Sequence, residues 1–123
     1  MNRVLIVDDE PHLRLLYETE LRRAGFETMT ADSALQGLEY VETMKPDLVV
    51  LDIRMAGMDG IEALQRIIER DNTLPVVLNT AFSSYQDNYM TWAADAYVTK
   101  SSDVTELVET VKKILNARMA AQS

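Results

Sequence analysis

The sequence predicts a doubly wound α/β fold, five parallel strands in the order 2-1-3-4-5 with helices on both faces. Two observations predict it. Apolar runs alternate with helix-period patterns five times along the 123 residues, as strand–helix units feeding a parallel sheet do. Four of the five runs are almost continuously apolar, as strands covered on both faces are. Right-handed crossovers leave few topologies, and the order 2-1-3-4-5 puts the one alternating strand at an edge.

The first strand is expected over Arg3–Val7. The helix after it carries Pro11 in its opening turn, where a missing N–H does no harm, and Gly25 just past its end. Phe26–Thr30 is the alternating strand. Ala34, Leu38 and Val41 mark the second helix, Asp47–Leu51 the third strand, and Ile61, Leu64, Ile67 and Ile68 the third helix. The fourth strand is expected over Pro75–Leu78. The segment 83–93 is the least regular of the helical stretches. Its Tyr85, Tyr89 and Trp92 fall on roughly one face, either as a partner-binding patch or as ordinary core packing. Ala96–Thr99 is the fifth strand. The last helix has the clearest stripe, Val104, Leu107, Val108, Val111, Ile114 and Leu115, with Ser102, Asp103 and Glu106 placed to cap its start.

Residues 1–123 fit a single domain, 47% hydrophobic and 26% charged, within ordinary globular usage. No apolar run is long enough to span a membrane, and the N-terminus lacks the length and cleavage site of a signal peptide. The absence of cysteine removes disulfides and thiolate metal sites and fits a cytoplasmic location. A formal charge of -8 argues against direct nucleic-acid binding and otherwise serves solubility.

In such sheets ligands bind beyond the carboxyl ends of the strands, where the strand order reverses. Strand one delivers Asp8, Asp9 and Glu10 to that rim, strand three Asp52, strand four Thr80 and strand five Lys100. Singly, each has an ordinary explanation. Asp8 or Asp9 could cap the first helix, Asp52 could open a turn, Thr80 could cap the next helix, and Lys100 could be a solvated strand end. Their convergence on one rim is what those explanations leave out. Crowded carboxylates repel unless a cation joins them, and hard oxygen donors without Cys or His point to Mg2+. An aspartate with an ordinary pKa is already ionised at neutral pH, so Asp52 needs no general base to attack a phosphoryl donor. Mg2+ and Lys100 would stabilise the charge on the transferred group, and Thr80 would donate a hydroxyl to it.

Over essentially its whole length the chain resembles the receiver domains of bacterial two-component response regulators. Asp8-Asp9 match the acidic pair, Asp52 in Val50-Leu51-Asp52-Ile53-Arg54-Met55 the phosphoacceptor, and Met58-Asp59-Gly60 the loop that follows. Thr80-Ala81 match the switch hydroxyl and its small neighbour, Lys100 the family's lysine, and Tyr97 its aromatic switch position. The spacings suit the family: 43 residues from Asp9 to Asp52, 28 to Thr80 and 20 to Lys100. The resemblance implies a flavodoxin-like (βα)5 fold. It implies Mg2+ held by Asp9, Asp52 and the backbone carbonyl of Arg54, with Asp8 acting through water. It implies a phosphohistidine donor on a sensor histidine kinase or phosphotransfer protein. It also implies that Thr80 and Tyr97 move inward on phosphorylation and reshape the face formed by the fourth helix, fifth strand and fifth helix. That face would meet a downstream protein target or a second copy of the chain. For Tyr97 the alternative is an ordinary half-buried strand aromatic.

Two departures stand out. Lys100-Ser101 replaces the usual Lys-Pro, so the peptide is expected either trans with an altered loop or cis at a cost of roughly 2.5–4 kcal/mol. Ala56 replaces the usual proline after Met55, which should loosen the loop behind Asp52. Phe82 and Arg54 are expected to flank the path of attacking water and tune the lifetime of the phosphorylated state.

Three rival functions fit the sequence less well. A phosphatase with an Asp nucleophile wants a second acid two residues on, where Arg54 stands. A flavodoxin-like cofactor carrier wants a phosphate loop after the first strand, where Asp8-Asp9-Glu10 would repel phosphate. A receiver-shaped scaffold would not need Asp52, Thr80 and Lys100 together. Ending at residues 117–123, soon after the last helix, the chain reads either as a free-standing receiver or as part of a longer regulator with an output domain.

Overall fold

The computed structural model describes residues 2–55, 57–81, 93–100 and 103–122. Strands β1 (Arg3–Val7), β2 (Glu27–Ala31), β3 (Leu48–Leu51), β4 (Val76–Thr80) and β5 (Ala96–Thr99) form one parallel sheet in the order β2-β1-β3-β4-β5. Four helices accompany them among the described residues: α1 (Pro11–Arg23), α2 (Ala34–Thr43), α3 (Gly60–Arg70) and α4 (Thr105–Gln122). The sequence led us to expect five. The stretch that would hold the other, with Tyr85, Tyr89 and Trp92, lies outside the described residues, so the expected fifth helix is here α4.

The pleat of the strands sorts their residues into two cores. Leu5, Val7, Val49, Leu51, Val76 and Leu78 face α2 and α3, where they meet Leu38, Val41, Leu64 and Ile67. Val4, Ile6, Leu48, Val50, Val77 and Val98 face α1 and α4, where they meet Tyr17, Leu21, Leu107, Val111 and Leu115. Full burial of one such aliphatic side chain contributes about 1.5–3 kcal/mol. This two-sided cover explains why β3 and β4 are buried at every position and β1 at every position but Arg3.

Strand limits shift slightly from expectation. β2 starts one residue later than Phe26, which packs instead against the α1–α4 core. Asp47 precedes β3 as a sheet-end anchor, its Oδ2 accepting from the Arg3 amide at 2.7 Å while its own amide donates to the Arg3 carbonyl at 2.8 Å. β4 runs on to Thr80 because Thr80 still pairs with Thr99 of β5. The helix ends follow the sequence signals. Pro11 opens α1 and Gly25 follows it at φ 99°. Ser33 caps α2 through the Gln36 amide, and Asp59 caps α3 through the Glu62 amide. The Asp103 carboxylate accepts from the Thr105 amide at 2.9 Å, while Ser102 lies outside the described residues.

Candidate functional site

Register brings the acidic residues together. Val7 pairs with Leu51 across β1 and β3, so Asp8 and Asp52 stand side by side one step further on. The Asp52 amide donates to the Val7 carbonyl and the Asp8 amide to Ala31, which extends the sheet order past the strand ends. Both carboxylates are buried, Asp8 2% and Asp52 6% exposed.

Asp8 also shapes the turn into α1. Its Oδ1 accepts from the Glu10 amide at 2.9 Å, and Arg14 Nη1 donates to its carbonyl at 2.8 Å. Neither Asp8 nor Asp9 occupies the N-cap, correcting the simplest explanation for them. Glu10 holds that position and makes no side-chain cap bond. Asp9 is exposed, and one carboxylate oxygen each from Asp8, Asp9 and Asp52 lies within 4.8 Å of the others.

Lys100 crosses the sheet to this cluster. Its Nζ donates to Asp8 Oδ2 at 2.8 Å and to Asp52 Oδ2 at 3.0 Å, and its amide donates to the Thr80 carbonyl at 2.6 Å. Lys100 is therefore no solvated strand end. Burial pushes the Asp52 carboxyl up, ahead of the Lys100 hydrogen bond and charge that pull it down. This departs from the ordinary aspartate that the sequence suggested. For Lys100, burial pulls the ammonium down, but its bonds to Asp8 and Asp52 outweigh that and hold its pKa above the usual lysine value.

The donor set suits a divalent metal. Three ionised carboxylates against one ammonium leave two formal negative charges, which one Mg2+ would balance, and all donors are hard oxygens.

The remaining expected residues are placed as follows. Thr80 closes β4 and is completely buried. Tyr97 is half-buried on β5 against the α2–α3 core, and Arg54 is exposed just after Asp52. Phe82, Ala56 and Ser101 lie outside the described residues, and with them the water-path role of Phe82, the loosened loop and the isomer of the Lys100–Ser101 peptide. Sequence reasoning named Gly60 only as part of the loop after Asp52 and missed Asn79 and Tyr17. Gly60 donates its amide to the Ile53 carbonyl at 2.7 Å, and a Cβ there would collide with the Asp52 carbonyl. Asn79 and Tyr17 are each 3% exposed beside the charged cluster. Asn79 was visible as a polar interruption of an apolar run. Tyr17 was masked by its Leu13–Tyr17–Leu21 helical spacing.

A family model described as the response regulator receiver domain matches residues 4–112. The chain belongs to the response regulator receiver domain family. Receivers of this family are regulatory phosphoacceptors. The response regulator TrrA of Thermotoga maritima, solved in complex with Mg2+–BeF, is 42% identical with a TM-score of 0.89, the match covering 92% of this chain and 98% of that one. TrrA has also been solved in complex with the histidine kinase ThkA, and that match has a TM-score of 0.88 over 94% of this chain and 99% of that one. Sporulation initiation phosphotransferase F of Bacillus subtilis is 35% identical over 92% of this chain and 93% of its own length. The chain spans only 25% of the regulatory protein AtoC of Escherichia coli and about half of several other curated relatives. No helix among the described residues is long and apolar enough to cross a membrane.

Proposed function

We propose that residues 1–123 act as one receiver unit in which Asp52 takes a phosphoryl group from a phosphohistidine of a sensor histidine kinase or phosphotransfer protein. The observation that carries this reading is the pairing of Asp52 with Lys100 at 3.0 Å inside a cluster of three carboxylates. One Asp52 oxygen forms the new P–O bond as the P–N bond to the donor imidazole breaks, the electron pair leaving with the ring nitrogen. Burial keeps Asp52 more basic than an exposed aspartate, which favours it as nucleophile once ionised. Lys100 moves its ammonium to the phosphoryl oxygens, and Thr80 donates its hydroxyl to them. Asp8, Asp9, Asp52 and the Arg54 carbonyl would hold Mg2+, which when bound neutralises the carboxylates and the transferred group.

Thr80 and Tyr97 then shift the surface around β5 and α4, which meets a downstream target, an output domain or a second copy of the chain. The TrrA complexes with Mg2+–BeF and with ThkA support the metal and the donor class. The unit assists its own phosphorylation and dephosphorylation rather than turning over a separate substrate. It works in the cytoplasm without contacting nucleic acid itself.

Intact-mass analysis after incubation with acetyl phosphate tests the reading. A Mg2+-dependent gain of one phosphoryl group, absent in Asp52→Ala, is the expected result. No gain, together with no response to beryllofluoride, would replace it with the scaffold reading.

A further inference from the structure

Two buried polar side chains beside the charged cluster have no role in the chemistry proposed above. Tyr17 Oη and Asn79 Nδ2 have no hydrogen-bond partner among the described residues, although each side chain is 3% exposed. Unpaired buried polar atoms cost free energy, and folded proteins keep few of them.

Their placement is set by the sheet. Alternation along β4 puts Asn79 on the Val77 face, which α1 covers with Tyr17 and Leu21. One step past the Leu51–Leu78 pair, Asn79 stands level with Asp52, as Asp52 stands level with Asp8. Lys100 leaves β5 yet reaches Asp52 beside β3 and Asp8 beside β1. With strands about 4.8 Å apart, its stem must cross β4 on the face where Asn79 stands. The Asn79 carboxamide lies near enough to the Tyr17 phenol to influence it, yet the two make no hydrogen bond. Burial chiefly raises the Tyr17 pKa, with Asn79 and then the Lys100 charge pulling it down, so the ammonium is within electrostatic reach of the phenol.

Lys100 spends two of its three N–H donors on Asp8 and Asp52, two of the carboxylates assigned above to the cation. A cation engaging those oxygens competes with the ammonium directly. An ammonium as largely buried as that of Lys100 is destabilising when it loses its acceptors unless another is at hand. We propose that the Tyr17 hydroxyl, steadied by Asn79, is the second station of the Lys100 ammonium, accepting from Nζ when a divalent cation draws Asp8 and Asp52 away. Tyr17 and Asn79 are then positioning residues acting through Lys100. The inference rests on Asp8, Asp9 and Asp52 being the cation site.

Calorimetric Mg2+ titration of the parent chain, Tyr17→Phe, Lys100→Met and the double variant tests it, alongside urea unfolding without metal. Tyr17→Phe should weaken Mg2+ binding about tenfold, the worth of one such hydrogen bond. Its metal-free stability should be unchanged or higher, because an unpaired hydroxyl is gone. In the Lys100→Met background the same change should have no effect on Mg2+ affinity. Asn79→Leu should weaken binding in the same direction as Tyr17→Phe. Equal affinity in the parent and Tyr17→Phe would overturn the inference, as would a loss that persists undiminished without Lys100. A parent chain that binds no Mg2+ would instead overturn the cation site on which the inference rests.

Discussion

The two faces of the sheet are made from the same strands and meet the carboxyl rim differently. On the α2–α3 face the core is apolar up to Thr80, the one hydroxyl that closes β4 there, and glycines complete its packing. Gly37 leaves room for Val7, whose Cγ2 would lie 2.8 Å from an added Cβ, and Gly60 packs on the backbone of Asp52 and Ile53. On the α1–α4 face the same rim carries Asp8, Asp52, Asn79 and Lys100 under Tyr17. A single residue step along each strand separates the two, Val7 from Asp8, Leu51 from Asp52 and Leu78 from Asn79. Site and core therefore share one backbone. The rim side chains inherit the rigidity of the core while paying their own desolvation, and the raised Asp52 pKa reflects that burial.

Substitutions on each face should separate these contributions. Lys100→Met should be the most damaging to the metal-free protein, about 3–5 kcal/mol in urea unfolding at neutral pH, because it removes the counter-charge of two buried carboxylates. The loss should shrink on acidification as Asp52, whose carboxyl burial pushes up, protonates, and Mg2+ should restore part of it. Leu64→Ala on the other face should cost about 2–5 kcal/mol. Unlike the Lys100→Met loss, it should not respond to Mg2+ or to mild acid. Gly60→Ala should cost about 1–3 kcal/mol, the usual penalty of overpacking, and should also slow phosphorylation because the displaced backbone belongs to Asp52.

Asp52→Asn should stabilise the metal-free protein at neutral pH. The folded pKa of Asp52 is raised, so its favourable contribution holds below the ordinary aspartate range and is lost as pH rises through the folded value. The advantage of the variant should therefore close as pH falls to about 4. For Lys100 the raised folded pKa means its contribution holds below the ordinary lysine range and is lost only as alkaline pH passes the folded value. Glu62→Ala, which removes the exposed partner of Arg66, should change stability by no more than about 0.5 kcal/mol.

Much of this was legible in the chain itself. Continuous apolar runs, Pro11 and Gly25 carry local signals, and local signals survive without knowledge of neighbours. The rim positions of Asp8, Asp52, Thr80 and Lys100 follow from strand ends and topology. Strand limits at Phe26, Asp47 and Thr80 were less readable, because pairing partners decide where a strand stops. Tyr17 was hidden because an aromatic on an apolar helical stripe has the same spacing whether or not its hydroxyl has a partner.

The sequence by itself determined the parallel order, the two-sided core and which side chains emerge at the carboxyl rim. Periodicity of 2 or 3.6 residues and right-handed connections act over short stretches of chain. Only the tertiary structure decided that Lys100 reaches Asp8 across 92 positions of sequence. The same holds for the burial that raises Asp52, the Gly60 contact with its backbone, and the meeting of Tyr17 and Asn79 without a hydrogen-bond partner among the described residues. Those outcomes depend on distances and desolvation set jointly by residues far apart in the chain, and no local pattern encodes them.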